Sequence, residues 1–250
     1  MSSQTEKLEQ ERSFLDKVFH TYTVDTSLQT KAMRELIFRT FSQFVRGGNG
    51  LELGCSDGYM TEMLAARLDK LDVVDGSHRF LEEASKRKLD NVTFRHSLFE
   101  EFRTEAKYDY VFASYIMEHV LDPIAVLKMA QSVLNPEGLL MIVVPNARAL
   151  SRQLALHMGL LKDLKELTEN DAHHGHRRVY DRLALNRDIQ AAGFENVSQG
   201  GIMLKILADF QLDELIGNGM LRKEHIDGLF QLGLEYPDLS GSLFSICKKR

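Results

Sequence analysis

Between residues 50 and 144, five short apolar runs alternate with helical patterns, and this rhythm constrains the fold more than any other feature of the chain. The runs are 50–53, 70–74, 92–94, 108–113 and 139–144. Helical spacing of apolar residues fills 59–68, 80–88 and 124–133, with a short helical stretch at 116–120. Strands that run in the same direction need a crossover between them, so this repetition predicts a parallel sheet with helices on both faces. Two further strands are expected at 194–198 and 243–248, separated by an insertion at 201–240 with helices at 210–216 and 223–234. Upstream, Leu8, Phe14, Leu15, Val18 and Phe19 suit one helix. A second helix at 28–45 ends on Arg46-Gly47-Gly48, a cationic last turn followed by glycine stop signals.

Composition excludes several classes of function. Asp and Glu number 36 against 31 Lys and Arg, a formal charge of -5, which argues against a protein that tracks a nucleic-acid backbone. The apolar runs fall well short of the ~20 residues a membrane span needs. The polar start, MSSQTEKLEQERSF, is unlike a secretory signal, so a cytoplasmic protein is expected. Cys55 and Cys247 make neither zinc spacing nor a disulfide framework.

The first run leads straight into Leu51-Glu52-Leu53-Gly54-Cys55-Ser56-Asp57-Gly58, a small-residue turn with a helix behind it. Small residues let backbone approach a ligand and leave the N–H groups of the helix start free to meet it. Glu52 is the odd member, a carboxylate between leucines on a strand expected to be buried. Burial of that charge costs on the order of several kcal/mol unless it is paired. Asp75 follows about twenty residues on, in Val73-Val74-Asp75-Gly76-Ser77, at the expected carboxyl end of the second strand. An acid there accepts hydrogen bonds from ribose hydroxyls. The dinucleotide pattern G-x-G-x-x-G is incomplete, because Ser56 stands in the middle position.

Residues 50–146 resemble the core of the class I S-adenosylmethionine-dependent methyltransferases. LELGCSDG is similar to their first motif and DVVDGSHRFLEEAS to their second. NVTFRHSLFEEF, YDYVFASYIMEHVLDP and LNPEGLLMIVVPN resemble the third, the fourth and the fifth strand with its preceding turn. The resemblance implies a seven-stranded, mostly parallel Rossmann-like sheet of order 3-2-1-4-5-7-6, its last strand antiparallel, with helices on both faces and helical lid insertions. It implies S-adenosylmethionine as cofactor, leaving S-adenosylhomocysteine as product. On that reading Gly54, Ser56, Asp57 and Gly58 meet the amino acid end, with Glu52 beneath the turn. Asp75 and Gly76 meet the ribose, and the backbone of Ser114 and Tyr115 borders the methionyl part. Leu98 stands where the family often carries an aspartate, so adenine is expected against backbone, Leu98 and Phe99.

Beyond the fifth run, Asp171-Ala172-His173-His174-Gly175-His176-Arg177-Arg178-Val179-Tyr180 is the densest polar stretch in the chain. Histidine titrates near neutrality and takes protons from hydroxyls, while arginine grips carboxylates with two parallel hydrogen bonds. His174 or His176 is the expected base, with His119 a third candidate facing the substrate. His173, Arg177, Arg178 and Tyr180 are expected to contact the acceptor, with Arg177 or Arg178 as an anion clamp. A His-x-x-His metal pattern lacks a clear carboxylate set beyond Asp171, so no metal is expected. The expected organisation is one domain over 1–250. N-terminal helices occupy 1–46, the cofactor core 48–146, and the lid and substrate segment 147–180, with 148–167 as one amphipathic helix. The C-terminal part, 181–250, has an edge turn at 200–205. Phe14, Phe19 and Tyr22 either close the site or dock on the core. The expected function is methylation of a small hydroxylated or acidic molecule, most readily on oxygen, with neither nucleic acid nor membrane as partner. Alternatives are a non-catalytic cofactor- or partner-binding module, and methyl transfer to a protein or nucleic acid.

Overall fold

Alternation along the strands decides which side chains face which layer. In the computed structural model, which describes residues 6, 10–15, 19 and 27–250, the central strands send successive side chains to opposite faces. Val111 and Ala113 join Leu140, Ile142 and Val144 in one core. Phe112, Met141 and Val143 join Val73, Phe244 and Ile246 in the other. Both faces of the sheet are therefore apolar and both are covered, as a parallel sheet requires.

The strands are β1 (Asn49–Leu53), β2 (Lys70–Asp75), β3 (Val92–His96), β4 (Tyr108–Ser114), β5 (Leu134–Pro145), β6 (Phe194–Leu204) and β7 (Ser240–Lys249). They pair in the order β3-β2-β1-β4-β5-β7-β6, the order expected. The first five are parallel, while β7 runs antiparallel to both β5 and β6. The helices are α1 (Leu28–Phe41), α2 (Tyr59–Ala65), α3 (His78–Ser85), α4 (Pro123–Val133), α5 (Leu150–His157), α6 (Glu169–His173), α7 (Arg182–Ala191), α8 (Asp209–Gly217) and α9 (Lys223–Glu235). No helix among the described residues is long and apolar enough to cross a membrane.

Three local expectations are corrected. The single helix over 148–167 is instead α5, a left-handed turn at Gly159 (φ +76°), and a loop leading to α6. Arg152 reverses the chain there, donating to the carbonyls of Leu164 at 3.1 Å and Glu166 at 2.5 Å. The edge turn over 200–205 is the end of β6, paired with β7 through Leu204↔Ser240. Its two glycines serve close packing, because the Phe244 ring and Ser240 occupy the places of their missing Cβ atoms. Residues 116–120 form a turn rather than a helix, because Tyr115 adopts φ 56° and redirects the chain as it leaves β4. Phe14 and Leu15 lie in a helical stretch, whereas Leu8, Val18 and Tyr22 lie outside the described residues.

Candidate functional site

The carboxyl ends of β1, β2 and β4 meet at the glycine turn. Gly54 and Gly58 have φ values of +77° and +76°, a conformation that favours glycine. Gly54 N–H donates to Val74 O at 2.8 Å, tying the turn to the end of β2. A Cβ at Gly54 would overlap Ile116, the residue by which the loop after β4 packs onto the turn. Ser56 holds a left-handed φ of 47°, an uncommon conformation for a residue with a side chain.

Asp75 closes the floor. Its carboxylate accepts from Cys55 N at 3.0 Å and Ser77 N at 2.8 Å, spanning the turn after β1 and the turn after β2. It is buried, and desolvation raises its pKa against the pull of the Ser77 and Cys55 N–H groups. Burial likewise pushes the Cys55 thiol far up, with the Asp75 charge adding to it, so Cys55 is an inert packing residue. Ser56 Oγ and Ser114 Oγ are buried without a hydrogen-bond partner among the described residues. Two orphaned hydroxyls flanking a turn that presents its backbone, beside a carboxylate with lone pairs to spare, fit a polar ligand carrying hydroxyl and amino groups. Leu98 is buried against Gly76, and Leu15 packs there from the N-terminal segment. Phe19 lies 5.0 Å from the Phe80 ring, centroid to centroid. Phe14 thus lies against Arg177, and Phe19 against Phe80.

Glu52, the odd carboxylate on β1, has a protein group as its partner. Thr61 Oγ1, from α2, donates to Glu52 Oε2 at 2.6 Å. Desolvation pushes the Glu52 pKa up to about 8, against the Thr61 hydrogen bond. A carboxyl whose folded pKa exceeds its ordinary value of 4.5 stabilises the fold fully below that value. That stability is lost as pH rises toward 8, because the unfolded chain releases the proton first. Each unit is worth about 1.4 kcal/mol. A Glu52→Gln variant is therefore expected to keep ~2 kcal/mol or more that the parent chain loses between pH 5 and 8. Urea unfolding at the two pH values measures this, and parallel losses in both proteins would refute it.

The histidine run is organised by a helix cap. Thr168 caps α6, and Asp171, three residues on, completes a capping box. The Asp171 carboxylate accepts from Thr168 N at 2.9 Å, Thr168 Oγ1 at 2.8 Å and Arg152 Nη1 at 3.1 Å, and pairs with His176 Nδ1 at 2.9 Å. Burial works to raise its pKa, but the hydrogen bonds from His176, Thr168 and Arg152 outweigh burial and hold it well below the carboxylate range. His176 is thereby fixed against His119, with ring centroids 4.8 Å apart. Beneath them lies Glu118, fully buried, its pKa pushed up to about 7 by desolvation against the charge of His176. Burial, with the charge of His176 adding, lowers His119 to about 3, so His119 is a neutral imidazole at physiological pH.

The other expected acceptor residues are distributed differently. His174 binds the carbonyl of Asn170 within its own helix turn at 2.8 Å, and His173 is exposed. Arg177 and Arg178, expected to clamp an anion, instead hold the loop after β4. Arg177 Nε donates to His119 O at 2.7 Å and its Nη2 to Glu11, with the guanidinium 5.0 Å from the Phe14 ring. Arg178 Nη1 donates to Met117 O at 2.8 Å and Val120 O at 2.6 Å. These carbonyls belong to a turn with few internal hydrogen bonds, so the guanidiniums supply the donors it lacks. Tyr180 is buried and donates to Asp188 at 3.0 Å, outside the histidine cluster. Asp57, expected at the ligand, accepts from Arg34 Nη1 at 2.9 Å, and Tyr115 Oη lies 2.7 Å from Ser242 Oγ. Sequence reasoning gave no role to Thr61 or Glu118, and weighed Asp171 only as the lone carboxylate beside the His-x-x-His pattern. The capping box at Thr168 and Asp171 was a readable signal for the last of them.

A family profile described as a methyltransferase domain matches residues 19–199. The chain is 29% identical over 111 residues to a trans-aconitate 2-methyltransferase of Agrobacterium fabrum, covering 44% of this chain and 43% of that protein. It is 26% identical over 130 residues to a ubiquinone biosynthesis O-methyltransferase of Actinobacillus pleuropneumoniae, covering 48% of this chain and 55% of the relative. The matched stretch thus spans about half the length of these curated relatives. In fold, the chain superposes on a Burkholderia thailandensis 1,6-didemethyltoxoflavin-N1-methyltransferase, whose structure holds 1,6-didemethyltoxoflavin and S-adenosylhomocysteine. The TM-score is 0.62 at 15% identity, with 100% of this chain and 91% of that one covered. With its sheet order and its profile match agreeing, this chain belongs to the methyltransferase domain family and has the class I methyltransferase fold.

Proposed function

We propose that this chain transfers a methyl group from S-adenosylmethionine to an oxygen atom of a small hydroxylated or acidic molecule. The cofactor supplies an activated methyl on a sulfonium cation. The orphaned Ser56 and Ser114 hydroxyls, the Gly54 and Gly58 backbone and the Asp75 carboxylate suit its amino acid and ribose parts. Leu98 and Phe99 offer apolar cover for adenine. The chain's main task is alignment, and holding nucleophile and methyl donor in line while excluding water is worth ~7–11 kcal/mol in favourable cases.

The observation that carries the oxygen reading is the cluster of Glu118, His119 and His176 on the loop side of the glycine turn. A hydroxyl acceptor must lose a proton as it attacks, and this cluster gathers proton-accepting groups, two of them two and three residues beyond Ile116, which packs on Gly54. Within it His176 takes the role expected of a histidine base, because Asp171 holds its Nδ1 and leaves Nε2 for the acceptor. The names of the two relatives, an O-methyltransferase and a trans-aconitate methyltransferase, agree with that acceptor class.

A labelled-methyl assay against hydroxylated carboxylic acids, phenols and matched amines tests the reading. Label is expected in the oxygen compounds and absent from the amines. Transfer to amines alone, or no transfer by protein that binds S-adenosylhomocysteine, would refute it.

A further inference from the structure

Glu118, His119 and His176 each offer one donor atom, and these atoms lie within 4.8 Å of one another. Two ligands of one tetrahedral ion at about 2.1 Å lie about 3.4 Å apart, so closure on an ion draws the widest pair of donor atoms together by up to about 1.4 Å. A second observation is independent of this spacing. Both carboxylate oxygens of Glu118 are buried and have no hydrogen-bond partner among the described residues. Buried carboxylates are ordinarily paired or bound to metal, since the uncompensated charge is costly. The guanidinium of Arg178 attracts the Glu118 carboxylate, but its hydrogen bonds go to the carbonyls of Met117 and Val120 and leave both carboxylate oxygens without a donor.

His176 is prepared as a ligand in the way metal-bound imidazoles usually are. Its Nδ1 is held by Asp171 Oδ1 at 2.9 Å, which fixes the ring and turns Nε2 away from the carboxylate. Asp171 is itself fixed by the α6 capping box and by Arg152. Two imidazoles and one carboxylate prefer borderline first-row cations to magnesium or calcium, which favour oxygen. Three protein ligands also leave a coordination position open, as in sites that bind substrate. His119 and His176 are partly exposed while Glu118 lies buried, so that position faces outward.

We propose that Glu118, His119 and His176 form a site for one divalent first-row transition cation, with Zn2+ as the fitting ion. Its open position takes an oxygen donor of the acceptor, such as a hydroxylated carboxylate or a vicinal diol; with the cation bound, His176 Nε2 is a ligand, and the cation replaces that imidazole in promoting loss of the acceptor's proton. The acceptor part rests on the methyl-transfer reading, whereas the cation site does not.

The test uses the full chain after dialysis against a chelator, with neither methyl donor nor acceptor present. Zn2+ followed by calorimetry, and Co2+ followed by its visible absorption, are each expected to bind at one equivalent per chain. Glu118→Gln and His176→Ala are each expected to weaken binding ~100-fold or more, and Asp171→Asn ~10–100-fold. His157→Ala, exposed at the end of α5, is expected to bind as the parent does. Thermal unfolding followed by circular dichroism establishes that each variant is folded. No binding by the folded parent, or equal binding by the Glu118 and His176 variants, overturns the site. Undiminished methyl transfer by chelated, cation-free protein overturns the acceptor part, and leaves His176 as a base acting alone. Cation binding at one equivalent, lost in the two variants, upholds the site even where no acceptor is methylated; that result would count against the methyl-transfer reading alone.

Discussion

An Asp75→Ala variant is expected to bind S-adenosylhomocysteine at least ~100-fold more weakly than the parent chain. The expectation follows from the position of the carboxylate. One oxygen accepts from Cys55 N and the other from Ser77 N, so a single side chain joins the turn after β1 to the turn after β2. On the proposed reading its remaining lone pairs accept from the ribose hydroxyls. A hydrogen bond to a charged group contributes about 1.5–3 kcal/mol, so loss of two amounts to ~3–6 kcal/mol. Tenfold in affinity corresponds to about 1.4 kcal/mol, which places the loss at two orders of magnitude or more. The substitution also leaves two buried N–H groups unpaired, so the melting temperature is expected to fall by several degrees. Asp75→Asn keeps the shape and one acceptor oxygen, and an intermediate affinity is expected. Calorimetric titration of folded protein measures both. An affinity within about threefold of the parent would place the nucleoside away from the tip of β2.

The fold was legible because its signals are local. Val111, Phe112 and Ala113 alternate between two cores, and an apolar run on each strand with a helix behind it states a covered parallel sheet. The glycine turn and Asp75 were legible for the same reason, since both lie at fixed offsets from strand ends. What failed depended on contacts between distant residues. Gly200 and Gly201 read as a turn until Phe244 and Ser240 are seen filling their space. Residues 148–167 have the apolar spacing of one helix, yet Arg152 binds carbonyls beyond the reversal at Gly159. Glu118 did not stand out in the sequence because its burial comes from packing around a loop. Its backbone carbonyl accepts from Arg177 N at 2.8 Å, across 59 positions of sequence. Its companion His176 sits in the same distant segment, so no spacing rule joins them. Arg177 and Arg178 suggest an anion site because two arginines stand side by side. In the folded chain they meet a turn whose carbonyls lack donors, and they satisfy it.

Glu118→Gln and His176→Ala are each expected to lower kcat by ~10²–10⁴-fold, the range typical of lost proton transfer or lost electrophilic assistance. The double variant is expected to be at most a few-fold slower than the slower single variant. Independent contributions would multiply, giving a far larger loss, whereas residues that act as one unit give grossly non-additive effects. The geometry supports one unit. The donor atoms of Glu118, His119 and His176 lie within 4.8 Å of one another, and the His119 and His176 rings meet edge to face. A neutral His119 over a buried carboxyl has no independent charge to offer, and His176 keeps its orientation only while Asp171 holds it. Affinity for S-adenosylhomocysteine is expected to stay within about threefold in all three variants, because Ile116 is the loop's contact with Gly54. Single-turnover measurements at saturating methyl donor supply the rates. Multiplicative losses in the double variant would show that the two side chains serve separate steps. A parallel loss of cofactor affinity would show instead that they support the glycine turn.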